Sequence, residues 1–181
     1  LELVNVDLAS EKRRKEKELL RGAEILVVDD DPVVGVQTAE ILDEIGAHTT
    51  WADSGQKAVE LVKKRMESGT RFHVAMIDWQ MPEMDGIETA RQIRKLVGPE
   101  TTIIIISAYD WSSIEEEAVA AGASFFIAKP LFRSNVYDAF MNLDIKTELS
   151  ADTRREGARA GKASGQAAIH RERRLLLVED N

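Results

Sequence analysis

The chain has no cysteine, which excludes disulfides, zinc–thiolate centres and thiol nucleophiles together. Long apolar runs are missing as well: stretches such as Ile103–Ile106 stop at four residues, where a membrane-crossing helix needs about 20. The N-terminus mixes apolar and acidic residues ahead of a Glu/Lys/Arg run and lacks the basic-then-apolar order of a secretory signal. Histidine is scarce, and no glycine-rich nucleotide loop occurs. Excess positive charge is absent: a formal net charge of −8 argues against nonspecific nucleic-acid binding by the whole chain. What is present is ordinary for a globular protein. The 181 residues, 44% hydrophobic and 31% charged, suit one domain of roughly 100–150 residues with extensions. A soluble cytoplasmic protein, without nucleic acid or membrane contact, is the expectation.

One short phrase occurs twice. Ile25-Leu26-Val27-Val28 runs into Asp29-Asp30-Asp31, and at the end Leu175-Leu176-Leu177-Val178 runs into Glu179-Asp180-Asn181. Each copy reads as a buried parallel strand whose carboxyl end opens into a polar site. A domain's length of sequence follows the first copy and nothing follows the second, so we expect the chain to come from a longer protein in which a second domain begins there. Such a strand without its own sheet should dock at an edge or groove, on its own domain or on a neighbouring molecule.

Between Ala23 and about Leu143, β-rich and helical patterns alternate. Strands are predicted at Ile25–Val28, His48–Trp51, Phe72–Ile77, Thr101–Ile106 and Ser124–Ala128. Helices are predicted after Asp31-Pro32, where aspartate can cap and proline suits the first turn, and after Ser54. Three more follow, over Gly86–Val97, Trp111–Ala121 and Leu131 to about Leu143. The first helix is expected to bury Val33, Val36, Ile41, Leu42 and Ile45, and the second Ala58, Leu61, Val62 and Met66. Glycines at 46, 98 and 122 supply stops. This alternation implies a parallel sheet covered on both faces by helices. Functional groups in such folds gather beyond the carboxyl ends of the strands. Asp29, Asp30, Asp78, Ser107 and Lys129 all stand there.

Each of these residues alone has a plain reading: a helix cap for Asp30, a strand-end hydroxyl for Ser107, a surface cation for Lys129. Together they suggest chemistry. Converging carboxylates repel and raise one another's pKa unless a cation compensates. With no thiol or histidine nearby, an all-oxygen set suits a hard ion such as Mg²⁺, which commonly bridges to phosphate. A lysine and a hydroxyl aimed at the same spot complete a phosphoryl pocket with a carboxylate nucleophile.

Four stretches then carry a family resemblance: Val27-Val28-Asp29-Asp30; Ile77-Asp78 with Met81-Pro82-Glu83-Met84-Asp85-Gly86; Ile106-Ser107-Ala108; and Ala128-Lys129-Pro130. In order and spacing, from about Ala23 to Leu143, they resemble the response-regulator receiver domain of two-component signalling. The resemblance implies a flavodoxin-like (βα)₅ fold, a doubly wound parallel α/β sheet. It also implies that Asp78 accepts a phosphoryl group from phosphohistidine on a histidine kinase or histidine phosphotransfer domain. Asp30, Asp78 and the Gln80 backbone carbonyl would bind Mg²⁺, with Asp29 acting largely through water. Lys129 would pair with Asp78 and then with the phosphoryl group, preceding a cis Lys129–Pro130 bond. Ser107 and Phe126 would form the conformational switch, and Gln80 and Tyr109 would tune loss of the phosphoryl group.

The expected organisation is a helical lead-in over 1–22, the receiver over 23–146, a linker over 147–173 and the first strand of a second receiver over 174–181. The lead-in reads as a solvated helix or as the end of a signalling or dimerising one, with Leu8, Leu19 and Leu20 as its seam, so a dimer is possible. The linker arginines (Arg154, Arg155, Arg159, Arg171, Arg173, Arg174) lack interleaved aromatics and read as solvated. Tandem receivers of this kind resemble the C-terminal part of a hybrid sensor histidine kinase, with a multi-receiver regulator as the alternative, so the second receiver is itself a partner. A phosphoacceptor role competes with a docking role in which the site is kept but unused. A phosphatase with an aspartyl nucleophile fails on motif, because nothing resembles D-x-D-x-T.

Overall fold

In a computed structural model of the chain, residues 20–108 and 114–143 are described. Five strands, β1 (Glu24–Val28), β2 (His48–Ala52), β3 (Val74–Asp78), β4 (Thr102–Ser107) and β5 (Phe125–Ala128), alternate with five helices. The helices are α1 (Pro32–Glu44), α2 (Gly55–Glu67), α3 (Gly86–Val97), α4 (Glu115–Ala121) and α5 (Arg133–Asn142). The strands form one sheet in the order β2-β1-β3-β4-β5, every pairing parallel. This is the doubly wound α/β arrangement that the alternation predicts.

The side-chain alternation of a strand divides the core in two. Leu26, Val28, Ala75, Ile77, Ile103, Ile105 and Phe126 face α2, α3 and α4, where Ala58, Val62, Ile87, Ile93 and Ala118 complete one layer. Ile25, Val27, Val74, Met76, Ile104, Ile106 and Ile127 face α1 and α5, against Leu42, Ile45, Val136 and Phe140. Leu20 is fully buried in this second layer, so the packed unit reaches back to it. Because β1 lies between β2 and β3, the chain winds one way from β1 and the other way from β3. The crevice beyond these two strands is therefore the topological switch point where such sheets hold ligands.

Helix boundaries follow local chemistry. Asp31 caps α1, its Oδ1 accepting from the Val33 N–H at 2.8 Å, with Pro32 in the first turn. Ser54 and Asp85 cap α2 and α3. α5 begins later than Leu131, because Asn135 Oδ1 accepts from the Phe132 N–H at 2.8 Å while its amide reaches the Pro130 carbonyl at 3.2 Å.

The buried face of α1 is corrected. Val33 and Val36 are 61% and 46% exposed, and the inward stripe is Gly35, Thr38 and Leu42, continued by Ile45. Two of these are not apolar, so hydrophobic spacing favoured their neighbours instead. In α2, Gly55, Ala58, Val59 and Val62 are buried, Leu61 is half-buried and Met66 is exposed.

No helix among the described residues is long and apolar enough to cross a membrane. The lead-in helix, Tyr109, Trp111, the arginine-bearing linker and the terminal strand lie outside the described residues.

Candidate functional site

The acid pair leaves β1 under tight restraint. The Asp29 N–H donates to the Ala52 carbonyl at 3.1 Å, extending the β1–β2 ladder by one residue. Asp29 Oδ1 accepts from the Asp31 N–H at 3.0 Å, and its carbonyl accepts from Trp51 Nε1 at 3.0 Å. Lys129 Nζ donates to Asp29 Oδ2 at 2.9 Å. Asp29 is buried, whereas Asp30 opens to solvent.

Asp78 ends β3 with 6% exposure, its Oδ1 lying 3.0 Å from Lys129 Nζ. The turn behind it is tight. Gly86 donates its N–H to the Trp79 carbonyl at 2.9 Å, and a Cβ at Gly86 would stand 2.3 Å from the Asp78 carbonyl oxygen. Glycine is there because backbone meets backbone. Glu83, in the same loop, takes a left-handed φ of 63°, and Gln80 is exposed at the loop's start.

Ser107 closes β4 and is buried. Its carbonyl accepts from the Lys129 N–H at 2.8 Å, which fixes Lys129 beside it. The Lys129–Pro130 peptide is cis, as the resemblance implies. Phe126 pairs with Ile105 in register and is fully buried in the layer under α3 and α4.

The structure thus gathers Asp29, Asp30, Asp78 and Lys129 at the switch point, with Ser107 on the adjoining strand end. One carboxylate oxygen each from Asp29, Asp30 and Asp78 lies within 4.8 Å of the others. Burial pushes the Asp78 carboxyl above its ordinary pKa; Lys129 opposes this, and the charges of Asp29 and Asp30 add to it. Burial works against the charge on Lys129 too, but hydrogen bonds to Asp29 and Asp78, together with their charges, hold its pKa above the ordinary value. One ammonium among three carboxylates leaves excess negative charge on an all-oxygen donor set. Those residues fit a hard divalent cation of the Mg²⁺ type.

Sequence reasoning missed two parts of the site: the Trp51 indole bonded to the Asp29 carbonyl, and the close approach of Gly86 to Asp78. For Trp51 the available signal was one large aromatic on an otherwise polar edge strand, His48-Thr49-Thr50-Trp51.

Three comparisons with known proteins bear on this arrangement. The sequence profile of the response regulator receiver domain matches residues 25–140. The chain is 38% identical over 127 residues to histidine kinase CKI1 of Arabidopsis thaliana, covering 63% of this chain and 11% of that protein. It is 34% identical over 107 residues to a cyclic di-GMP phosphodiesterase of Thermotoga maritima, covering 59% of this chain and 27% of that protein. The chain therefore spans about a tenth and about a quarter of these two relatives. Among solved structures, it is similar to the receiver domain of Arabidopsis thaliana CKI1 complexed with Mg²⁺ and BeF₃⁻. The TM-score is 0.61 at 32% identity, covering 75% of this chain and 97% of that one.

Proposed function

Because this chain belongs to the response regulator receiver domain family, we propose that Asp78 accepts a phosphoryl group from phosphohistidine on a histidine kinase or histidine phosphotransfer domain. The observation that carries this reading is Lys129 Nζ held between Asp29 and Asp78, at 2.9 and 3.0 Å, beside three clustered carboxylates. In this reading Asp30, Asp78 and the Gln80 backbone carbonyl hold Mg²⁺, and Asp29 acts mainly through water. The ion, when bound, neutralises charge on the phosphoryl oxygens and on the clustered acids. An Asp78 oxygen attacks phosphorus while the P–N bond to the donor imidazole breaks. The electron pair of that bond stays on the imidazole nitrogen, which takes a proton from solvent. Lys129 turns its ammonium to the transferred group as Asp78 gives up its negative charge. The parent protein is a proposal too: a hybrid histidine kinase agrees with one relative and a phosphodiesterase with the other.

The downstream event in this proposal is a switch. Ser107 moves toward the phosphoryl oxygens, and Phe126 turns into the vacated space, remodelling the face made by α4, β5 and α5. Gln80, with Tyr109, governs the lifetime of the phosphorylated state by shielding or orienting the attacking water. Substituting Gln80 is expected to change that lifetime at constant Mg²⁺ affinity; a matching loss of Mg²⁺ binding would remove the assignment.

The deciding experiment is incubation with acetyl phosphate and Mg²⁺, comparing the wild type with Asp78→Asn by mass spectrometry. A base-labile adduct on the wild type alone establishes the phosphoacceptor. Absence of an adduct, together with no response to beryllofluoride, leaves a docking role.

A further inference from the structure

The structure assigns Trp51 as a positioning residue for the metal site, acting through the peptide that joins Asp29 to Asp30. This inference rests on the Mg²⁺ reading above. The Trp51 indole N–H donates to the Asp29 carbonyl at 3.0 Å. A peptide unit is planar, so a bond to that carbonyl also sets the orientation of the Asp30 N–H and the direction in which the chain reaches the Asp30 Cα. The Asp30 carboxylate makes no hydrogen bond or ion pair among the described residues and is exposed, unlike Asp29, which is held at both carboxylate oxygens. The aim of Asp30 therefore depends on its backbone.

Packing shows that the indole is held in place for this contact. A Cβ at Gly35 would stand 2.3 Å from Trp51 Nε1 and 2.7 Å from Cδ1. Only glycine at that position of α1 lets the five-membered ring reach over the helix to the Asp29 carbonyl. Gly35 also donates its N–H to the Asp31 carbonyl at 2.9 Å, so the ring, the first turn of α1 and the acid loop form one contact. A tryptophan serving only as filler between β2 and α1 needs neither the missing side chain at Gly35 nor a donor aimed at the loop.

The test separates the indole's shape from its N–H. Mg²⁺ is titrated by calorimetry into four proteins: the wild type, Asp30→Asn, Trp51→Phe, and protein carrying 3-benzothienylalanine at position 51, which keeps the bicyclic shape with sulfur in place of N–H. The wild type is expected to bind, and Asp30→Asn to lose most of its affinity. Both position-51 proteins are expected to bind about three- to tenfold more weakly, the size of one lost hydrogen bond. With saturating Mg²⁺, their maximal rate of phosphorylation by acetyl phosphate returns to the wild-type value, whereas a general loss of structure lowers that rate at every Mg²⁺ concentration. In the unmodified protein, the Trp51 indole ¹H–¹⁵N resonance is expected to shift on Mg²⁺ addition.

Equal Mg²⁺ affinity in a folded benzothienyl protein overturns the positioning role while leaving the metal site standing. A wild type that binds no Mg²⁺ overturns both. Should the position-51 proteins fail to fold, Gly35→Ala, which pushes the indole away from the carbonyl, must reproduce the loss of affinity. An indole resonance that ignores Mg²⁺ also sinks the assignment.

Discussion

Replacing Asp78 with asparagine should stabilise the metal-free protein at neutral pH. At an effective dielectric of about 20, carboxylate oxygens within 4.8 Å of one another repel by at least about 3.5 kcal/mol. This applies to the buried Asp29–Asp78 pair, while exposed Asp30, screened nearly as in bulk water, adds about 1 kcal/mol. Lys129 at 3.0 Å from Asp78 returns about 5.5 kcal/mol on the same scale. Attraction and repulsion thus nearly cancel, leaving the desolvation of a buried ion, still several kcal/mol after relaxation, to decide the sign. Asparagine removes that penalty, and Lys129 keeps Asp29 as a partner at 2.9 Å.

We expect a gain of about 2 kcal/mol, equivalent to about 6–8 °C in melting temperature for a domain of this size. The pH dependence has a defined sign. The folded-state pKa of Asp78 lies above its ordinary 3.8, so the wild type loses stability as pH rises through that interval. The advantage of the variant is therefore absent well below pH 3.8 and complete above the folded-state pKa. Thermal melts followed by circular dichroism in EDTA, from acid to neutral pH, measure it. Added Mg²⁺ should narrow the gap, because it binds and stabilises the wild type more. If Asp78→Asn melts at or below the wild type in EDTA at neutral pH, the attraction to Lys129 outweighs burial and the reasoning is refuted.

Three further outcomes are expected. Lys129→Met should cost about 1–3 kcal/mol at neutral pH in urea unfolding, reduced from the fully buried case by partial exposure. The folded-state pKa of Lys129 is raised above 10.5, so its contribution is complete below 10.5 and the difference should shrink as pH rises through the folded value. Gly86→Ala sets a Cβ 2.3 Å from the Asp78 carbonyl and 2.8 Å from Trp79 Cα; both are backbone, so about 2–3 kcal/mol of destabilisation and slower labelling by acetyl phosphate should appear together. Ser107→Ala should still be labelled at Asp78 but should lose the chemical-shift response of the α4-β5-α5 face, and an undiminished response would free the switch from the hydroxyl.

Most of the site is legible in the sequence because its residues sit at the ends of short apolar runs. A buried strand that ends abruptly in acid, hydroxyl or lysine announces both its length and its polar mouth, and four such ends could be aligned by fold logic. The caps at Asp31, Ser54 and Asp85 depend on local hydrogen bonding, and the first two were read directly from the chain. The inward face of α1 was not legible. Gly35 and Thr38 are buried by what lies opposite them, and hydropathy spacing passed over them in favour of Val33 and Val36. The role of Trp51 was hidden for a related reason, since an aromatic on an edge strand looks like packing until its N–H is seen to find a carbonyl just beyond the end of the neighbouring strand.

By itself, the sequence determined the strand and helix order, the parallel doubly wound class and the set of charged groups at the strand ends. These follow from short-range rules: side-chain periodicity, capping and the conformational limits of glycine and proline. Tertiary structure decided how the groups share one another. Lys129 bridges Asp29 as well as Asp78, Gly86 presses against the Asp78 backbone, and Trp51 holds the Asp29 carbonyl through the gap left by Gly35. Those contacts join residues up to 100 positions apart. Their geometry depends on the sheet order β2-β1-β3-β4-β5, and spacing along the chain carries no trace of it.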